Sequence, residues 1–143
     1  MMDLLRALFI AARGHKGQRD KAGKPYIFHP IKVSLNVKGR DEKIVALLHD
    51  VIEDTDYTLD DLKFLTDDQR EALILLTHDE NIPYMSYIES IKKNKMASRV
   101  KLADLGQNMN LKRLKTVTEK DLERLEKYKK AKTLLMEDLE SNE

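Results

Sequence analysis

Apolar residues recur along the chain at helical rather than strand spacing, as in Leu4, Leu5, Leu8 and Ala12 near the start and Ile44, Leu47, Leu48 and Val51 further on. The pattern predicts an all-α fold, a compact helical bundle. After the first helix comes "GHKGQRDKAGKPYIFHP", whose three glycines and proline mark a structured loop. Pro30 then stands where it can open a second helix at its first position, running to about Val37 and stopping at Gly39. A third helix is predicted from near Asp41 through "ALLHDVIEDT", residues 46 to 55. Thr58 with Asp61, Thr66 with Gln69 and Thr118 with Asp121 have capping-box spacing, so each threonine is expected to start a helix. Pro83 opens a segment around "YMSYIESIKK", and "MASRVKLADLGQNMNL" places Val100, Leu102, Ala103 and Leu105 on an apolar side. The last stretch, Thr118 to about Leu139, carries Leu122, Leu125, Leu135 and Leu139 as its stripe, with Glu123–Lys127 and Glu126–Lys130 as supporting pairs. It reads as an amphipathic helix packed on its own domain rather than a dimerising coiled coil.

The length of 143 residues fits one domain spanning 1–143, with a core from about 2 to 112 and a C-terminal helix from about 118 to 140. Charged residues make up 36% of the chain but nearly cancel, leaving a formal net charge of +1, so no basic field calls for a nucleic-acid partner. With no cysteine, the chain has neither disulfides nor thiolate metal sites, and a reducing, cytoplasmic setting is expected. The run "LLRALFIAA" is interrupted by Arg6, lacks a basic leader and is far short of spanning length; it reads as a core helix, and no membrane partner is expected. Oligomeric state is not encoded in any feature of this kind.

Candidate chemistry concentrates in "ALLHDVIEDT". On a continuous helix His49 and Glu53 are four residues apart, as are Asp50 and Asp54, so all four groups would face one side. Clustered carboxylates repel and resist desolvation unless a cation compensates, and a divalent metal is the simplest compensator. On this segment alone, a metal or catalytic site and an ordinary solvated helix end fit equally well. A second segment, "KLADLGQNM", places Asp104 and Asn108 one turn apart on an otherwise apolar helix, with Lys101 a turn before. Gly106 within it costs about 1 kcal/mol relative to alanine, which suggests close backbone packing or approach of a ligand.

The "HP" at His29, "LLHDVIEDT" at 47–55 and "VKLADLGQNM" at 100–109, in that order and spacing, resemble the hydrolase domain of the RelA/SpoT-homologue alarmone enzymes, within the HD metal-dependent phosphohydrolases. The resemblance covers roughly residues 7 to 110. It implies that His29, His49, Asp50 and Asp104 bind one divalent metal, typically manganese, and that Glu53 and Asp54 handle the attacking water. Two imidazoles and two carboxylates suit manganese without excluding iron, cobalt or zinc. His15 and His78 are read as loop-bracing or surface residues rather than further ligands.

The same resemblance implies hydrolysis of the 3′-pyrophosphate of guanosine tetra- or pentaphosphate, giving GDP or GTP and pyrophosphate. A small-molecule nucleotide is then the partner, with Arg19, Lys21, Lys101 and Asn108 as candidate substrate-binding residues and Lys24 nearby. Two departures affect the nucleotide pocket. The family's "RKSG" is "DKAG" here, putting Asp20 in place of an arginine, where it is expected to repel phosphate and restrict substrate choice. The usual "LADRLHNM" is "LADLGQNM", which removes another cation. These departures keep another nucleotide or phosphate ester, such as NADPH, as the alternative substrate, and a non-catalytic nucleotide-binding module as the alternative class. Glu53 and Asp54 beside a complete ligand set favour catalysis.

Overall fold

The computed structural model describes residues 2–141; the outermost residues of the expected 1–143 domain, Met1, Asn142 and Glu143, lie outside the described residues. Among the described residues the ordered elements are helices, with one isolated bridge between Arg19 and Pro25 and no strand, so the all-α expectation holds. The α-helices are α1 (Met2–Gly14), α2 (Phe28–Leu35), α3 (Arg40–Leu48), α4 (Val51–Asp54), α5 (Asp67–Leu76), α6 (Tyr84–Lys92), α7 (Lys95–Asn108) and α8 (Glu119–Ser141). Short 3₁₀ turns cover Leu59–Leu62 and Leu111–Arg113. None of these helices is long and apolar enough to cross a membrane.

The organising element is α3. Ile44, Val45, Ala46, Leu47 and Leu48 are all buried, so the second half of this helix, after the charged turn Arg40–Lys43, is apolar on every side, as a segment surrounded by other helices must be. Ile44, Leu47 and Leu48 join Ala7, Ile10, Ala11, Leu62 and Leu73 in one half of the interior. Val45 and Ala46 join Val33, Ala72, Ile88, Ile91, Val100, Leu105 and Leu135 in the other. The residue that follows α3 therefore emerges from the centre of the protein.

Several elements depart from the sequence reading. In α1 the stripe of Leu5 and Leu8 faces solvent, Leu5 being 62% exposed, while Ala7, Ile10 and Ala11 are buried. Both stripes have helical period, and the two alanines let α1 lie close against α3. Helix α2 begins two residues before Pro30, which still falls in the first turn, where its missing N–H costs nothing. It ends at Leu35 because Lys43 from α3 reaches across with Nζ to donate to the carbonyls of Ser34 (2.9 Å) and Val37 (2.7 Å). The three threonine caps form as expected, although Thr58 starts a 3₁₀ turn rather than an α-helix. Helix α8 packs on α6 and α7 through Ala131 and Leu135, with Tyr128 and Leu134 alongside; Leu122, at 50% exposure, is not part of the buried stripe.

Candidate metal centre and active site

The third helix does not run through residue 55. It stops at Leu48, turns at His49 and Asp50, and α4 resumes for a single turn. The cause is local: the His49 imidazole donates from Nδ1 to the Ala46 carbonyl at 2.6 Å, taking the acceptor that a continuing helix would offer to the Asp50 amide. The four acidic and basic groups are thereby split. His49 and Asp50 turn inward, and Glu53 and Asp54 stay at the surface.

His29, from the first turn of α2, and Asp104, from α7, meet His49 at this break. Ligand atoms of His29, His49 and Asp104 all lie within 4.8 Å of one another. Asp104 Oδ1 is 2.8 Å from His29 Nε2 and 3.3 Å from His49 Nε2. Asp50 Oδ2 lies 3.1 Å from His49 Nε2 and 3.8 Å from His29 Nε2, so the fourth predicted ligand stands beside the other three without joining their tightest grouping.

The chemistry of these donors fits a metal cation. Because Nδ1 of His49 is committed as a donor, Nε2 presents a lone pair; it is buried and has no hydrogen-bond partner, and it faces two carboxylates that can only accept. Acceptors converging without a hydrogen between them require positive charge. A proton can take that place: burial pushes the His49 imidazole down, but Asp50 and Asp104 outweigh it and raise its pKa well above the ordinary value. Burial likewise works against the charged form of Asp50, yet His49 pulls it down to about 2. Asp104 is held well below the usual range against its burial, by Lys101 first and then by His29 and His49.

Lys101 is not where a substrate ligand would stand. Its ammonium pairs with Asp104 Oδ2 at 2.9 Å and sits 5.3 Å from the centre of the Tyr87 ring, so it balances the charge of a metal-site carboxylate from behind. Asn108 donates to Asp104 Oδ1 at 3.2 Å and also faces the adjoining cavity. Glu53 accepts the backbone N–H of His78. Partial burial, with Asp50 and Asp54 adding to it, raises the Glu53 carboxyl above its ordinary value; burial and Asp50 do the same to Asp54. Both histidines outside the centre are loop braces: His78 stacks on Tyr87 and bonds the Ile82 carbonyl, and His15, buried rather than at the surface, bonds Gln18.

A cavity of about 260 Å³ opens beside His29. Arg19, Lys21, Lys24, Lys32, Arg113 and Arg124 line it, with Tyr26, Phe28 and Tyr128 as its aromatic wall. Of the predicted substrate-binding residues it includes Arg19, Lys21 and Asn108 but not Lys101. The sequence reading missed Arg113, in the short turn after α7, and Arg124 and Tyr128, on the charged helix α8. The available signal was Asp121, whose capping position fixes a carboxylate beside Arg124: Oδ1 lies 3.2 Å from Arg124 Nη1 and 3.5 Å from Lys21 Nζ. Cation crowding is evident at Lys127, held below its ordinary value by partial burial and by Arg124, Lys101 and Lys21.

Asp20 lines the cavity, where its charge was expected to act, and it also has a role in its own loop. Its Oδ1 accepts the N–H groups of Ala22 (2.9 Å) and Lys24 (3.0 Å), closing a turn that Gly23 completes at φ +81°. The carboxylate thus braces the loop that carries Lys21 while still lining the cavity. Gly106 also departs from expectation: a Cβ there would meet nothing within 4 Å. The close approach occurs instead at Gly14, where a Cβ would lie 3.0 Å from Thr55 Cγ2, next to the acidic turn.

No protein-family model matches the chain. Among individual proteins, it is 37% identical over 120 residues to the human protein named guanosine-3′,5′-bis(diphosphate) 3′-pyrophosphohydrolase MESH1, covering 74% of this chain and 67% of that one. It is 47% identical over 62 residues to the GTP pyrophosphokinase of Streptomyces coelicolor and 43% identical over 65 residues to the guanosine-3′,5′-bis(diphosphate) 3′-pyrophosphohydrolase of Aquifex aeolicus. Those matches take in 41% and 43% of this chain but only 7% and 9% of these much longer relatives. The solved structure of a metazoan ortholog of SpoT that hydrolyzes ppGpp superposes with a TM-score of 0.78 at 27% identity, over 94% of this chain and 86% of that one. Sequence identity sustained over two thirds of the human relative, on a matching all-α framework, places the chain in the MESH1 family of SpoT-like HD-domain proteins.

Proposed function

We propose that the protein is a metal-dependent phosphohydrolase that removes the 3′-pyrophosphate of guanosine tetra- or pentaphosphate. The observation that carries this reading is the convergence of His29, His49 and Asp104, with the buried Nε2 of His49 lacking a hydrogen-bond partner, beside a cation-lined cavity. His29, His49, Asp50 and Asp104 would hold one divalent ion, for which manganese suits the mixed nitrogen and oxygen set. When bound, such an ion supplies a Lewis acid toward a phosphoryl oxygen.

The rest belongs to the chain's own side chains. Lys21, Arg113 and Arg124 take the charge of the phosphate groups, and the aromatic wall of Tyr26, Phe28 and Tyr128 takes the flat part of a nucleoside. Glu53 or Asp54, each with its carboxyl raised above its ordinary value, accepts the proton of the attacking water in its ionised form and returns a proton to the leaving O3′. A bond forms between that water's oxygen and phosphorus, the P–O3′ bond breaks, and the products are GDP or GTP and pyrophosphate. The test is release of pyrophosphate from ppGpp and pppGpp, with and without manganese, beside a panel of NADPH and ordinary nucleotides. Manganese-dependent turnover strongest on the 3′-pyrophosphorylated guanosines is the expected result; a preference for another member of the panel, or turnover without metal, overturns it.

A further inference from the structure

Helix α4 is one turn of four residues, and a single turn does not hold itself together in water. Yet it separates a metal ligand, Asp50, from the water-handling Asp54. What fixes it comes from the loop before α2. There the Arg19–Pro25 bridge and the bond from the Tyr26 N–H to the Gln18 carbonyl (2.9 Å) make Gln18 and Tyr26 neighbours across a hairpin. From these two positions the side chains reach opposite ends of the acidic turn. The Tyr26 hydroxyl donates to Asp50 Oδ2, the same oxygen that lies 3.1 Å from His49 Nε2. The Gln18 amide donates from Nε2 to the backbone carbonyl of Asp54 at 2.8 Å.

Both arms share one support. Since Nε2 of Gln18 is the donor to Asp54, its Oε1 faces Nδ1 of His15 at 2.9 Å and accepts from it. The His15 ring is buried and lies 4.9 Å from the ring of Tyr26, so one imidazole backs the glutamine by a hydrogen bond and the phenol by contact.

We propose that Gln18 and Tyr26 are positioning residues that clamp the acidic turn at its two ends, Tyr26 setting Asp50 for the metal and Gln18 setting Asp54 for proton transfer. The Gln18 arm rests on the phosphohydrolase reading; the Tyr26 arm rests only on metal binding. A hydroxyl donating to a ligand carboxylate orients it, and loss of such a partner typically costs about 10- to 100-fold in metal affinity.

The test uses the full chain with Tyr26→Phe and Gln18→Glu. The phenylalanine keeps the ring against His15, and the glutamate keeps an acceptor for His15 while losing the N–H that holds Asp54. Manganese affinity is measured by calorimetry or by the free-ion spin resonance signal, kcat and KM on ppGpp at saturating manganese, and folding by thermal melting. Tyr26→Phe should weaken manganese binding about 10- to 100-fold, with its activity following the displaced binding curve as manganese is added. Gln18→Glu should bind manganese like the parent and lose about tenfold or more in kcat with KM little changed. Parent-like manganese affinity in Tyr26→Phe overturns the first arm, and parent-like kcat in Gln18→Glu the second. Parallel loss of melting temperature, metal and rate in both variants makes the hairpin a plain structural loop and overturns both. A parent protein inactive on ppGpp removes the phosphohydrolase reading and the Gln18 arm with it, while the manganese titration of Tyr26→Phe still decides the first.

Discussion

Replacing Glu53 by glutamine separates a proton acceptor from a ligand and from a structural brace. Glu53 is exposed, and it accepts the backbone N–H of His78. A glutamine carbonyl can accept that same N–H, so the 78–82 loop stays anchored. The substitution also removes a negative charge crowded by Asp50 and Asp54, the crowding that raises the Glu53 carboxyl. Stability should therefore hold or rise slightly, and the metal, whose donors lie elsewhere, should remain at about one per chain. What disappears is the base. General-base catalysis contributes roughly 10²- to 10⁴-fold, or about 2.7 to 5.4 kcal/mol of barrier at 1.36 kcal/mol per decade. Glu53→Ala makes the contrast: it loses the base and the loop anchor together, costing about 1 kcal/mol for an exposed bond. With an unfolding entropy of about 0.3 kcal/mol per kelvin for a chain of this length, that lowers the melting temperature by about 3 °C. Metal content, single-turnover rates and melting curves on both variants check the reasoning. A glutamine variant that loses its metal makes Glu53 a ligand, and one that turns over like the parent removes Glu53 from the mechanism.

Manganese at 100 times its dissociation constant should add about 2.7 kcal/mol, or about 9 °C in melting temperature, and His49→Ala should abolish that rise; an equal rise in the variant would place the ion elsewhere. The acid limb of kcat should lie above the ordinary carboxylate range, because Glu53 must be ionised to accept a proton and its carboxyl is raised in the fold; a limb left unchanged by Glu53→Gln assigns it to another group. Gly106→Ala should raise stability by about 1 kcal/mol, since the new methyl meets nothing within 4 Å and glycine gains no contact there; denaturant unfolding that shows a loss would mean the helix needs the glycine.

Much of this was legible from spacing alone. Helical period and the caps at Thr66 and Thr118 are short-range patterns that a chain carries openly, whereas the grouping of His29, His49, Asp50 and Asp104, which spans 75 residues, was implied only by the family resemblance. The break after Leu48 is not, because it depends on an imidazole taking a carbonyl, and a residue letter does not say which way a side chain bonds. The exposed face of α1 was misassigned because a leucine stripe and an alanine stripe share one period, and the choice falls to what α3 can approach closely. Asp20, which lines the cavity, also serves as a turn former, and Lys101, expected among the substrate-binding residues, pairs with Asp104. In each case the residue type was informative and its partner was not.

The near-neutral net charge of +1 hides a separation. Glu53 and Asp54 form an exposed acidic rim on α4, while Arg19, Lys21, Lys24, Lys32, Arg113 and Arg124 line the cavity and outnumber its two carboxylates, Asp20 and Asp121. A molecule so divided acts on an approaching polyanion as an oriented dipole rather than as a weak uniform charge. Encounter is then guided: the ligand's anionic end is drawn to the cavity before any contact forms, and the acidic rim turns away approaches in the wrong sense. That guidance reaches only about 8 Å at physiological ionic strength, so added salt slows capture well before it touches the chemical step, and a nucleoside without phosphates arrives unguided.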